Sequence, residues 1–175
     1  EGIVNPDEIQ IRAAVIKATY MSSVGTRILP TTMEEALATR IRKDAKEYGA
    51  TTGRPRDIVH IDLPALRFFT KVGGVNCHVL THMDIVYPET PIKICTRYEI
   101  DGSPVDYRPD QEFLLKVRPV YTELDTWDQQ KIQAAKSLKE LPINARKFLD
   151  FIAEGLNSKI ISITTGPQRG QSIQL

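Results

Sequence analysis

The sequence predicts a mixed α/β protein, and three observations carry that expectation. Segments with helical spacing alternate along the chain with short apolar runs of strand length. Asp62-Leu63-Pro64 opens a helical stretch that Gly73-Gly74 closes, and a strand-length run follows at 76–80. Two β-patterned segments flank Asp101-Gly102, a pair that supplies the positive φ angles of a tight hairpin turn.

Taken in order, Asn5-Pro6-Asp7-Glu8 reads as a helix start: a capping Asn, a proline in the first turn and two acids near the positive end of the dipole. Ile9, Ala13, Ile16 and Tyr20 recur at helical spacing, so an amphipathic helix is expected over 6–21. Val24-Gly25 to Pro30-Thr31 breaks it, and a second helix is expected over 33–46. Periodicity vanishes between Tyr48 and Ile61, where Gly, Thr, Arg and Pro form a loop. Asp62 caps a helix to about Val72, followed by a strand over 76–80. The hairpin arms are 92–100 and 105–108, with another strand at 117–121. Helices over 127–137 and 142–154 follow, the second with Ala145, Phe148, Leu149 and Ile152 on one face, before a last short strand at 160–163.

Composition narrows the function classes. The chain has 175 residues, the size of one domain or a large part of one. At 41% hydrophobic and 26% charged it can bury a core, and its net charge of +1 gives no general attraction to nucleic acid or anionic membrane. No apolar run approaches the roughly 18 residues of a membrane span. Cys77 and Cys95 lack metal-ligand spacing and read as reduced, packed thiols, which suits a cytoplasmic protein. The first residue is Glu1 rather than Met, so a processed chain or a part of a longer one is expected.

Three loops hold residues suited to chemistry. Gly49-Ala50-Thr51-Thr52-Gly53-Arg54-Pro55-Arg56 combines bendable backbone, two hydroxyls and two guanidinium forks on a stiffened segment, which suits carboxylate or phosphate. Leu80-Thr81-His82-Met83-Asp84 ends an expected strand, and Asp84 can accept both the ring N–H and the exocyclic amine of guanine. Thr164-Thr165-Gly166-Pro167 also follows an expected strand and can offer backbone N–H and hydroxyl groups to a base or ribose. Singly, each has an ordinary reading: a solvated basic loop, a turn-forming Asp and a Gly-Pro turn.

In this order and spacing the three loops resemble the adenylosuccinate synthetase family. Its members carry Gly-Ala-Thr-Thr-Gly-Arg with further arginines, then a Thr-Lys-x-Asp element, then Ser/Thr-Thr-Gly-Pro-x-Arg near the C-terminus. Val24-Gly25 with Pro30-Thr31 resembles the family's Val-Gly-x-Gly-Pro-Phe-Pro-Thr segment. The resemblance implies a mixed, largely parallel sheet flanked by helices, a P-loop-like synthetase fold with a β-hairpin insertion. Residues 1–175 would then be the C-terminal portion of a single domain, without its N-terminal catalytic part.

The implied activity is a cytoplasmic, homodimeric ligase of purine biosynthesis that joins L-aspartate to IMP using GTP and Mg²⁺, with neither nucleic acid nor membrane as partner. Carried over by motif, Thr51, Thr52 and Arg56 bind aspartate, while Val24, Gly25 and Arg54 lie near IMP. Arg56, His82, Asp84, Thr164, Thr165, Gly166 and Pro167 serve GTP. No glycine-rich Gly-Lys phosphate loop is present, and His60, His78 and His82 do not occupy the family's catalytic position. The resemblance therefore places no catalytic residue and no metal ligand in this chain, and implies that it does not catalyse by itself.

Four departures from the family pattern are present, all expected at or beside ligand-facing segments. His82 replaces a Lys, Asp57 a basic residue and Val59-His60-Ile61 the usual Gly-Trp pair and its neighbour; Arg27-Ile28-Leu29 replaces Gly-Pro-Phe. Two alternatives stay open on these grounds: a non-catalytic nucleotide-binding or interaction module, and a ligase with altered purine substrate or phosphate donor.

Overall fold

The computed structural model describes residues 8–175. From the N-terminal side it forms β1 (Ala13–Lys17), β2 (Met21–Ser23), α1 (Glu35–Asp44), β3 (Asp57–Val59), β4 (Ile61–Asp62), α2 (Leu63–Val72) and β5 (Cys77–Thr81). There follow β6 (Ile92–Ile100), β7 (Ser103–Val105), α3 (Gln111–Leu114), β8 (Arg118–Leu124), α4 (Gln129–Ala134), α5 (Ile143–Leu156), β9 (Lys159–Thr164) and β10 (Ser172–Gln174).

The expected helix over 6–21 is not formed where it can be checked. Residues 13–17 and 21–23 are strands instead, and the Asn5–Asp7 start lies outside the described residues. The reason is tertiary: Ala13 to Lys17 pair in parallel with Cys77 to Thr81, and that ladder outweighs a helical spacing shared by four apolar residues.

Other local signals act as expected. The Asp62 carboxylate accepts from Ala65 N at 3.1 Å, capping α2, with a proline in the first turn. The hairpin tip has Asp101 at φ 51° and Gly102 at φ 79°. Asn157, at φ 49°, ends α5 in a left-handed cap.

β1, β5 and β9 run parallel, with β10 antiparallel at the edge. A second sheet has β6 flanked by β4 in parallel and by β7 and β8 antiparallel, and β2 pairs antiparallel with β3. The fold is thus α/β with mixed sheets. The main core lies between them: Ile61, Leu63, Leu80, Ile94 and Ile163 meet Phe148 and Ile152 from α5. Burying a side chain such as Phe148 stabilises by about 1.5–3 kcal/mol. α5 approaches the start of α2 so closely that a Cβ at Gly155 would come within 2.7 Å of the Leu63 side chain. Both cysteines are buried free thiols, and burial pushes that of Cys95 up to about 12.

Candidate functional site

Because β1, β5 and β9 are parallel, their C-terminal ends open on one edge, the usual position of ligand sites in such sheets. The loop after β5 and the loop after β9 are joined there. His82 N donates to Thr164 Oγ1 at 3.2 Å, and Met83 N donates to the Thr164 carbonyl at 3.1 Å. His82 takes a positive φ of 60°, which turns its ring back toward the end of β1. The ring stacks on Tyr20 at 5.9 Å between centroids, with Nδ1 3.3 Å from the Tyr20 hydroxyl.

Asp84 is buried, at 6% exposure, so its partners decide how its carboxylate is presented. Its Oδ2 accepts from Gln133 Nε2 at 3.2 Å and its carbonyl from Gln129 Nε2 at 2.8 Å, leaving Oδ1 without a partner among the described residues. Thr165 is fully buried, and its N–H donates to the Gln171 carbonyl at 2.8 Å. A Cβ at Gly166 would meet Gln171 Oε1 at 2.3 Å, and that oxygen already accepts from Gln168 N. Any side chain at 166 would therefore push the Gln171 side chain aside and break its hydrogen bond with Gln168 N. Pro167 is exposed beside it.

The arginine loop closes on itself. Gly49 N donates to the Arg54 carbonyl and Gly53 N to the Gly49 carbonyl, each at 2.8 Å, with Tyr48 bridging Pro55. Gly53, at φ +64°, makes the turn, leaving Thr51, Thr52 and Arg54 exposed at the tip. Arg56 is held from below: its Nη1 donates to Glu47 Oε2 at 3.0 Å, while its Nε is buried without a partner among the described residues.

Glu47 also binds Lys17 Nζ at 2.6 Å and accepts from the Tyr20 hydroxyl at 2.6 Å. Burial pushes its carboxyl up. The hydrogen bonds from Lys17 and Tyr20, with the charges of Lys17 and Arg56, more than offset this and hold it below the ordinary value. For His82, burial drives the imidazole down, helped by Lys17 and opposed by Glu47 and Asp84.

Three of the sequence-derived segments thus converge: the arginine loop through Arg56, the 80–84 loop and the 164–167 turn. Val24 and Gly25 are exposed, and the pairing of Ser23 with Asp57 starts their loop beside Arg56. No hydrogen bond or ion pair joins them or Arg54 to the other segments among the described residues. Of the departures, Arg27 and Asp57 are exposed, while His60 is buried and packs edge-on against Tyr121 at 5.5 Å.

Sequence reasoning missed Glu47, Lys17, Tyr20, Gln129, Gln133 and Gln171. A lone acid two residues before Gly49 was the visible sign of the first, and the mistaken helix hid Lys17 and Tyr20. Among the described residues no group of three or more His, Cys, Asp or Glu side chains could hold a metal ion. No helix there is long and apolar enough to cross a membrane. A separate cavity of about 650 Å³ lies between α2 and the hairpin, away from these loops.

The family model for adenylosuccinate synthetase matches residues 2–173. The chain is 40% identical over 160 residues to the adenylosuccinate synthetase of Mycoplasma mycoides subsp. mycoides, covering 91% of this chain and 37% of that protein. It is 38% identical over 173 residues to the one from Fusobacterium nucleatum, covering 98% of this chain and 40% of the relative. Its fold superposes on the fully ligated adenylosuccinate synthetase of Plasmodium falciparum with a TM-score of 0.91 at 25% identity, over 98% of this chain and 41% of that one. The chain thus spans about two fifths of the length of these relatives.

Proposed function

The chain belongs to the adenylosuccinate synthetase family, and from that membership we propose that it supplies the aspartate-binding loop and guanine pocket of a GTP-dependent ligase. The complete enzyme joins L-aspartate to IMP. The γ-phosphate of GTP passes to O6 of IMP, leaving GDP, and the aspartate amine then displaces inorganic phosphate at C6. The protein acts as a cytoplasmic homodimer.

The observation that carries this reading is the convergence of the arginine loop with the ends of β5 and β9. Within it, Thr51, Thr52 and Arg56 hold the aspartate carboxylates, a task suited to a guanidinium fork beside hydroxyl donors. Val24, Gly25 and Arg54 face IMP. Asp84 accepts the two donors of guanine, while His82, Thr164, Thr165, Gly166 and Pro167 shape the base pocket and Arg56 adds positive charge near GTP. This chain binds and orients; the proton transfers and most contacts to Mg²⁺ come from the rest of the complete enzyme.

Steady-state kinetics of Asp84→Asn in the complete enzyme test the base assignment. Asparagine replaces one acceptor by a donor, so it loses one charge-assisted bond worth about 1.5–3 kcal/mol. The expected result is a GTP KM raised by about tenfold or more with a narrowed preference over ATP. An unchanged GTP KM would remove Asp84 from the pocket.

A further inference from the structure

Glu47 sits where three segments meet, and nothing in the motif assigned it a role. It is almost fully buried, at 3% exposure of its side chain, yet carries a carboxylate held below its ordinary value. A buried charge is costly unless paired and hydrogen-bonded. Glu47 meets that condition with both oxygens: Oε2 on Arg56 at 3.0 Å, and Oε1 on Lys17 and the Tyr20 hydroxyl, each at 2.6 Å. Lys17 Nζ also donates to Ser22 Oγ.

The backbone fixes the same spot. Arg56 N donates to the Glu47 carbonyl at 3.0 Å, and the Arg56 carbonyl accepts from Arg42 Nε at 2.9 Å. Position 56 is therefore clamped at its main chain, while the direction of its guanidinium is set by the Glu47 carboxylate. The charges also count. Lys17 and Arg56 together carry two positive charges against one negative, so the cluster keeps net attraction for an anion while the two cations are held close together.

The contact extends to the base-reading loop. The single Tyr20 hydroxyl proton goes to Glu47, so the Tyr20 oxygen accepts from His82 Nδ1–H. One hydrogen-bonded chain thus runs from Arg56 through Glu47 and Tyr20 to His82.

We propose that Glu47 is a positioning residue for aspartate binding: it aims the Arg56 guanidinium and joins it, through Tyr20, to His82 beside the base pocket. This rests on the assignment of Arg56 to aspartate made above. Without the Glu47 charge, Arg56 loses its partner and faces an uncompensated Lys17, and misplacement by about 1 Å can cost about a hundredfold in an oriented site.

The test is a mutant cycle in the complete enzyme, reading the KM for aspartate, the KM for GTP and kcat. Glu47→Gln is expected to raise the aspartate KM about ten- to a hundredfold while kcat stays within about threefold. In an Arg56→Ala background the same substitution is expected to add nothing, because its effect passes through Arg56. A merely structural role would instead lower kcat and active fraction without moving the KM selectively. An unmoved aspartate KM, or two substitutions whose effects multiply, overturns the proposal. Should Glu47→Gln not fold, Glu47→Asp carries the test: it keeps the charge on a shorter arm, and an aspartate KM equal to that of the unaltered enzyme overturns the role. Unaltered enzyme that fails to couple GTP, IMP and aspartate removes the functional reading itself. Turnover by that enzyme with an unmoved variant KM removes the positioning role alone.

Discussion

Asp62 serves two elements with one carboxylate. Oδ1 caps α2 and Oδ2 accepts the buried Tyr98 hydroxyl from β6. Burial raises its pKa, against the pull of those two bonds. Asp62→Ala removes a cap worth about 1 kcal/mol and leaves Tyr98 buried without an acceptor, at about 1–3 kcal/mol. A loss of about 2 kcal/mol or more is expected from urea unfolding, with Asp62→Asn recovering most of it. Equal midpoints for the alanine variant and the parent would show that neither bond matters. Asp62 also shows what single residues disclose: its capping role was legible in Asp62-Leu63-Pro64, but its bond to a tyrosine 36 positions away was not. Glu47 is similar. It stands next to a conspicuous loop, but its importance lies in distances to Lys17 and Tyr20 that no local pattern contains.

At the scale of elements, legibility followed the range of the deciding interaction. α2 and the β6–β7 hairpin were readable because a cap, a proline and an Asp-Gly turn act within a few residues. α5 was readable because Ala145, Phe148, Leu149 and Ile152 form one buried face. β1 was not. Its apolar residues also fit a helix, and the partner that makes it a strand lies 64 residues further along, in β5. β10 escaped notice because Ser172–Gln174 has no strand-like run of its own and forms only against β9. β3 lay inside a stretch read as loop and β4 at its boundary with the Asp62 cap, since two- and three-residue strands leave no periodicity to detect. The three candidate loops were legible in their residue content and order, whereas their meeting point follows from the parallel order β1-β5-β9, which spacing alone does not give.

Across the whole molecule, protonation and convergence set the expectations. Burial lowers the pKa of His60, His78 and His82, with Lys93 adding to the effect at His60. Unfolded, these rings titrate near their ordinary value of 6.5. Between that value and the depressed folded ones the unfolded chain binds more protons, so stability is present above pH 6.5 and is lost as pH falls through the folded values. Asp62, whose pKa is raised, works the other way from its ordinary 3.8 upward, one group against three. Urea unfolding is expected to show lower stability at about pH 5.5 than at about pH 7.5; a flat or rising profile on acidification would contradict neutral buried imidazoles. The central claim is that the loops meeting at the ends of β1, β5 and β9 form a site that takes aspartate through Arg56. It is tested most directly by the aspartate KM of Arg56→Ala in the complete enzyme. Loss of charge-assisted bonds worth about 1.5–3 kcal/mol each should raise that KM at least about tenfold, with the KM for IMP little changed. An aspartate KM equal to that of the unaltered enzyme would contradict the account.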